Sequence, residues 1–111
     1  MRDDDGRLRD ILEAIDKIAA YTRKGREEFE GSELVQVWIV HQIQVIGEAA
    51  RGLSEDLRAR NPEVPWPDVI GMRNILVHEY FGIDLQEVWD TAVNDIPRLR
   101  PLIELDRKSV V

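Results

Sequence analysis

The residues best suited to chemistry lie in one short stretch, GMRNILVHEYFGID, at positions 71 to 84. At helical spacing, Gly71, Asn74 and His78 share one face, and Arg73 and Tyr80 lie on an adjacent line. An imidazole can take or give a proton near neutral pH, and a planar guanidinium can pair with two phosphate oxygens. This set of groups is suited to cleaving a phosphodiester bond of RNA without a metal ion.

Each polar residue of the stretch has a predicted role in that chemistry. His78 would move the proton, Arg73 would stabilise the charge that develops on the phosphate, and Asn74 would orient one of the two. Glu48 is an acid in a largely apolar stretch, so it should be paired or lie at an interface. It would pair with Arg51 or position Arg73.

The residues by themselves leave a plainer interpretation open. A histidine and an arginine on one helix more often form a solvated or structural pair than a catalytic one, and a helical tyrosine more often packs than reacts. For His41, which lies inside an apolar helix, no role is predicted.

Composition limits the classes of function. The 111 residues are enough for one domain, 1–111, with a single core. There is no cysteine, and His41 and His78 are far apart in sequence, so neither a metal site nor a cofactor is expected. A net charge of −7 opposes general attraction to nucleic acid, so RNA contact must be local or arise between subunits, and DNA is not expected. A charged N-terminus without an apolar segment predicts a cytoplasmic protein with no membrane partner.

Periodic apolar residues predict four main helices with short helices between them, the pattern of an all-α four-helix bundle. The second helix is apolar around too much of its circumference for one buried stripe, so it needs two partners, and the second of these is predicted to be another copy of the chain.

Pro97 should kink the fourth helix, which should fray by Pro101. The predicted helices run from Leu8 to near Gly25, from a cap at Ser32 to about Gly52, from Pro67 to Tyr80, and onward from a cap at Asp84; Phe29 lies on a short turn, and Ser54 caps a short helix.

The sequence RNILVHEY resembles the R-x4-H-x-Y motif of HepT-like toxins, a branch of the HEPN ribonucleases. The stretches QVIGEAARGLS, PWPDVIGMRNILVHEYFGID and LQEVWDTAVNDIPRL are also similar to that family, so the resemblance covers nearly the whole chain. It implies a helical HEPN-like bundle that forms a homodimer, with the motifs of both subunits lining one cleft. Arg73 and His78 then match the catalytic pair, and Tyr80 matches the tyrosine to which a nucleotidyltransferase antitoxin transfers AMP.

We therefore expect the toxin of a toxin–antitoxin pair, a metal-independent endoribonuclease that cleaves RNA by attack of the 2′-OH and is neutralised by AMPylation of Tyr80. Two alternatives stay open at this point. The domain can be a non-catalytic HEPN binding module that partners a nucleotidyltransferase, or a dimerising helical scaffold.

Overall fold

The structure is a computed structural model that describes residues 3–71 and 84–109, the last four of them by their backbone only. These residues form helices and short connections, with no strand among them, so the predicted all-α class is confirmed for this part of the chain. The helices are α1 (Asp4–Thr22), α2 (Arg26–Gly31), α3 (Glu33–Arg51), α4 (Glu55–Arg60), α5 (described over 66–71), α6 (Leu85–Asp90) and α7 (Ile96–Ser109), and a π-helical turn (Thr91–Asp95) joins the last two.

Local capping decides where four of these helices begin. The predicted caps at Ser32, Ser54 and Asp84 are confirmed, because each side chain accepts the backbone N–H three residues on, at 3.3, 3.2 and 3.2 Å. Asp3 caps α1 in the same way at 2.8 Å. The first helix therefore begins ahead of Leu8, the first residue of its apolar pattern.

The core forms where α1 packs against α3 and α7. Phe29 lies on the short helix α2, as predicted, and it is buried, with its ring centroid 5.4 Å from that of Trp89. Burial of each such side chain contributes roughly 1.5–3 kcal/mol, so this packing, rather than helix propensity, holds the short α2 in place. The most buried aliphatic residues are Ile11, Ile18, Ile39, Ile43, Ile46, Leu57, Val69, Val88 and Ile96.

The end of the chain corrects one prediction. Helix α7 does not fray by Pro101 but continues to Ser109, because Leu99 and Ile103 are buried against the core on either side of that proline. The interruption predicted near Pro97 takes the form of the π-helical turn, in which the Ile96 N–H donates to a carbonyl five residues back. A proline ring crowds the carbonyl four residues before it, and a wider turn relieves that contact.

Within the described ranges, no helix combines the length and the apolar character needed to cross a membrane. The complete four-helix bundle depends on residues 72–83 as well, which lie outside those ranges, so it stays a prediction.

Candidate active site

A hydrogen-bonded turn fixes the start of α5, the helix on which the sequence places the motif. Trp66 is buried, and its indole N–H donates to the carbonyls of Arg58 at 3.2 Å and Asn61 at 3.0 Å. The helix begins at residue 66, one position before the predicted Pro67, because the Val69 N–H already donates to the Pro65 carbonyl at 3.0 Å. The first turn of α5 is therefore held against the end of α4.

A second contact holds α4 itself. The Asp4 carboxylate accepts the backbone N–H of Ser54 at 3.0 Å and its hydroxyl at 2.6 Å. The hydrogen bond from the Ser54 hydroxyl lowers the pKa of Asp4, since it stabilises the charged carboxylate. The chain of contacts thus runs from the N-terminus of α1 through α4 to the first turn of α5.

Of the predicted site residues, Arg73, Asn74, His78 and Tyr80 lie outside the described ranges, so their roles stay predictions. Gly71, at the last described position of α5, is half-buried, and a Cβ added there would meet no described atom within 4 Å. Among the described residues, none therefore blocks close approach to Gly71.

Glu48, the predicted supporting residue, is exposed on α3. It lies at the C-terminal end of a line of side chains on the outer face of α3, of which all but the partly buried Val45 are exposed. Its pairing with Arg51 or Arg73 stays a prediction. The same line of side chains extends back to the start of α3.

We call this line the outer stripe of α3; it comprises Leu34, Val37, Trp38, His41, Val45 and Glu48. Leu34 is 85% exposed, Val37 49% and Trp38 37%, although all three are large and apolar. The opposite side of the helix is fully buried through Ile39, Ile43 and Ile46. The prediction that this helix is apolar on more than one side is therefore confirmed.

A small cluster of rings and charge lies in the middle of the outer stripe. The Trp38 and His41 ring centroids are 6.1 Å apart, and Lys17 Nζ on α1 lies 5.8 Å from the centroid of the Trp38 ring. Neither Trp38 nor Lys17 was singled out from the sequence, and no role was predicted for His41. The spacing of Leu34, His41 and Glu48 at seven-residue intervals was the signal that could have identified this surface.

Two comparisons place the chain among known proteins. A family model described as "Ribonuclease HepT-like" matches residues 11–105, a range that includes the motif. A presumed RNase of Methanocaldococcus jannaschii is 34% identical over 88% of this chain and 91% of its own length, and a second one from that organism is 38% identical over 93% and 86%. The probable ribonuclease HepT of Thermococcus cleftensis is 37% identical over 91% of this chain and 93% of its own length. No solved structure matches.

Proposed function

Because this chain belongs to the HepT-like ribonuclease family, we propose that it is the toxin of a toxin–antitoxin pair and cleaves RNA without a metal ion. The ribonuclease class predicted from the motif is the one that the family and its relatives carry in their names. The observation that carries the finer proposal is the motif Arg73-x4-His78-x-Tyr80, which lies inside the matched range.

In the proposed reaction the ribose 2′-oxygen attacks the adjacent phosphorus while the bond from phosphorus to the 5′-oxygen breaks. The proton leaves the 2′-hydroxyl and a proton is delivered to the departing 5′-oxygen, with His78 as the group that moves it. Arg73 stabilises the charge on the phosphate oxygens, and Asn74 orients the imidazole or the phosphate. The products are a 2′,3′-cyclic phosphate and a 5′-hydroxyl end, and proton transfer of this kind typically contributes about 10²–10⁴ in rate.

The proposed protein is a cytoplasmic homodimer in which the motifs of two chains share one cleft within an HEPN-like bundle. Two copies of Arg73 and His78 would make that cleft locally positive on a chain whose net charge is −7. The exposed apolar residues of the outer stripe support pairing, because large exposed apolar patches on helices mark interaction surfaces. Glu48 at the end of that stripe would position Arg73.

We propose that the ribonuclease activity is regulated by a covalent modification. A partner nucleotidyltransferase transfers AMP from ATP to Tyr80, two residues from His78. The added group brings bulk and a negative phosphate beside a cationic site, so it repels the phosphate of RNA and fills the cleft.

The test is cleavage of a defined RNA by the purified protein in excess EDTA, compared with His78→Ala and Arg73→Ala. Both variants should lose about a hundredfold or more in rate, and cyclic phosphate ends should appear only with the wild type. Arg9→Ala is the matched control, because Arg9 is exposed on α1, lies outside the motif, and its replacement removes the same charge. Its rate should equal that of the wild type.

Two results would contradict the proposal. If His78→Ala cuts as fast as the wild type, the histidine is not the group that moves the proton. If folded wild type with unmodified Tyr80 cuts no RNA, the non-catalytic binding module is the better description.

A further inference from the structure

We propose that the groove between the start of α5 and helix α7 is the docking site for a basic amphipathic helix of the partner nucleotidyltransferase. The inference rests on the proposed function, which requires that enzyme to reach Tyr80. It adds the surface on which the enzyme docks and the chemistry of the docking segment.

The groove is a place where the apolar core reaches the surface. Its volume is about 400 Å³, and its apolar lining consists of Pro65 and Val69 on one side and of Leu99 and Leu102 on the other. Val69 is 1% exposed and Leu99 4%, so both belong to the core, whereas Leu102 is only partly buried. An apolar side chain that enters the groove would therefore leave water and contact the core directly.

The apolar surface continues beyond the groove along α7. Leu99, Leu102 and Leu105 follow one another at three-residue steps, which keeps them within a sector of about 120° on one side of the helix. Leu105 is 66% exposed, although it is large and apolar. The apolar strip therefore extends about 9 Å along α7, from a buried leucine to an exposed one.

Charged side chains surround this apolar lining. Three carboxylates and one guanidinium lie around the groove, and all four side chains are exposed: Glu63, Asp68, Asp95 and Arg98. Three negative charges against one positive charge make the rim acidic, so it repels the phosphates of RNA and attracts lysine and arginine side chains. Because interfaces match opposite charges, the docking segment should carry basic residues beside its apolar face.

The lining favours a helix as the docking segment. A peptide segment can add a strand to a sheet edge, lay a proline-rich stretch on aromatic rings, or place an amphipathic helix in an apolar groove. The described residues offer no sheet edge, and none of those that line the groove is aromatic. A small molecule fits less well, because it needs polar groups that converge inside the pocket, whereas the charged groups here are exposed.

The position of the groove connects it to the nucleotidyltransferase. Asp68 and Val69 immediately precede the segment that contains Arg73 and Tyr80 in the sequence. Asp95 is the last residue of the π-helical turn, a type of irregular turn that is frequent at functional sites. An enzyme that modifies one tyrosine needs contacts outside the reacting group to hold its substrate in place. The groove offers such a contact and leaves the residues of the motif for the reaction.

The first test measures binding of the purified chain to the partner nucleotidyltransferase by calorimetry. Leu105→Asp should weaken binding about tenfold or more, because it places a charge in an apolar contact. Leu105→Met is the matched control, since methionine keeps the contact apolar, and it should bind as the wild type does. Circular dichroism confirms that both variants are folded.

The second test reverses the charge of the rim. The double variant Asp68→Lys with Asp95→Lys should weaken binding about tenfold, because attraction to basic residues becomes repulsion at two positions. The matched control is Glu27→Lys with Glu28→Lys, which makes the same change of net charge on exposed residues of α2. The control should bind as the wild type does.

The kinetics of AMP transfer to Tyr80 separate docking from damage to the fold. The groove variants should raise the KM for this chain and leave kcat unchanged, because the reacting groups are the same once the complex has formed. Added salt should raise the KM of the wild type in the same direction, since it screens exposed charges.

Several outcomes would overturn the inference. Equal binding of the wild type and both groove variants means that the enzyme docks on another surface, and an equal loss in the α2 control means that only net charge matters. A change in RNA binding, or in the mass of the dimer by light scattering, with unaltered enzyme binding means that RNA or a second copy occupies the groove. RNA cleavage in EDTA is measured on the same samples. A wild type that cuts RNA but does not bind the enzyme refutes this inference while the ribonuclease proposal survives, and one that does neither refutes both.

Discussion

Replacing Ser54 with alanine should destabilise the protein more than loss of a helix cap alone. The hydroxyl accepts the Leu57 N–H at 3.2 Å and donates to the Asp4 carboxylate at 2.6 Å. Loss of a serine cap costs about 1 kcal/mol, and a hydrogen bond to a charged group on a solvent-accessible surface contributes about 1 kcal/mol more. The expected loss is therefore about 2 kcal/mol, or roughly 8 °C in Tm for a chain of this length.

Ser32→Ala is the matched control, because Ser32 caps α3 at 3.3 Å and its hydroxyl has no carboxylate partner among the described residues. It should lose only about 1 kcal/mol. Thermal unfolding followed by circular dichroism, with urea titration for the free energy, measures both variants. Equal losses for Ser54→Ala and Ser32→Ala would refute the argument, since they would mean that the contact with Asp4 adds no stability.

Four further predictions follow from particular contacts. Because the pKa of Asp4 is lowered in the folded protein, its carboxylate should stabilise the fold above roughly pH 4, and this stabilisation should disappear as the pH falls. The difference in urea midpoint between the wild type and Asp4→Asn should therefore close at low pH, and a difference that stays constant with pH would contradict this. Phe29→Ala should cost about 3–5 kcal/mol because the ring is 1% exposed, and a urea-derived loss below 1 kcal/mol would mean that α2 does not hold the core. Glu48→Gln should slow RNA cleavage at least tenfold with the dimer intact by light scattering, and unchanged cleavage would remove its supporting role. Tyr80→Phe should keep RNA cleavage but gain no AMP from the partner enzyme in intact-mass measurements, and AMP found on that variant would place the modification elsewhere.

The starts of α3, α4 and α6 were predictable from the sequence because capping is local, whereas the start of α1 at Asp4 was missed. Ser32, Ser54 and Asp84 each bond to a backbone N–H only three residues away, so the interaction lies within a window that can be inspected along the chain. The same reasoning failed at Pro101. There the local cost of a proline is outweighed by Leu99 and Ile103, which contact the core through residues distant in sequence.

The contacts that position the candidate site could not be predicted for the same reason. The bond between Asp4 and Ser54 joins residues 50 positions apart, and no pattern in either segment indicates the other. The motif can be recognised in the sequence by its spacing, whereas the turn that holds the start of α5 depends on the buried Trp66, whose indole N–H donates to two carbonyls at the end of α4. The ribonuclease class could therefore be predicted from the sequence, whereas the contacts that hold the start of α5 could not.

The outer stripe of α3 could be predicted only in part from the sequence. It also affects how an acidic protein can act on RNA. Counting apolar residues showed that α3 needs a second partner, but only packing shows that Leu34, Val37 and Trp38 are the side left exposed. If that side pairs two copies, the net charge of −7 per chain is doubled in the dimer, and general repulsion of RNA grows. Binding must then depend on the few cations gathered in the cleft, which restricts productive contact to RNA that can reach both motifs. An added AMP on Tyr80 would reverse that small local balance, so a single modification can be enough to silence the site.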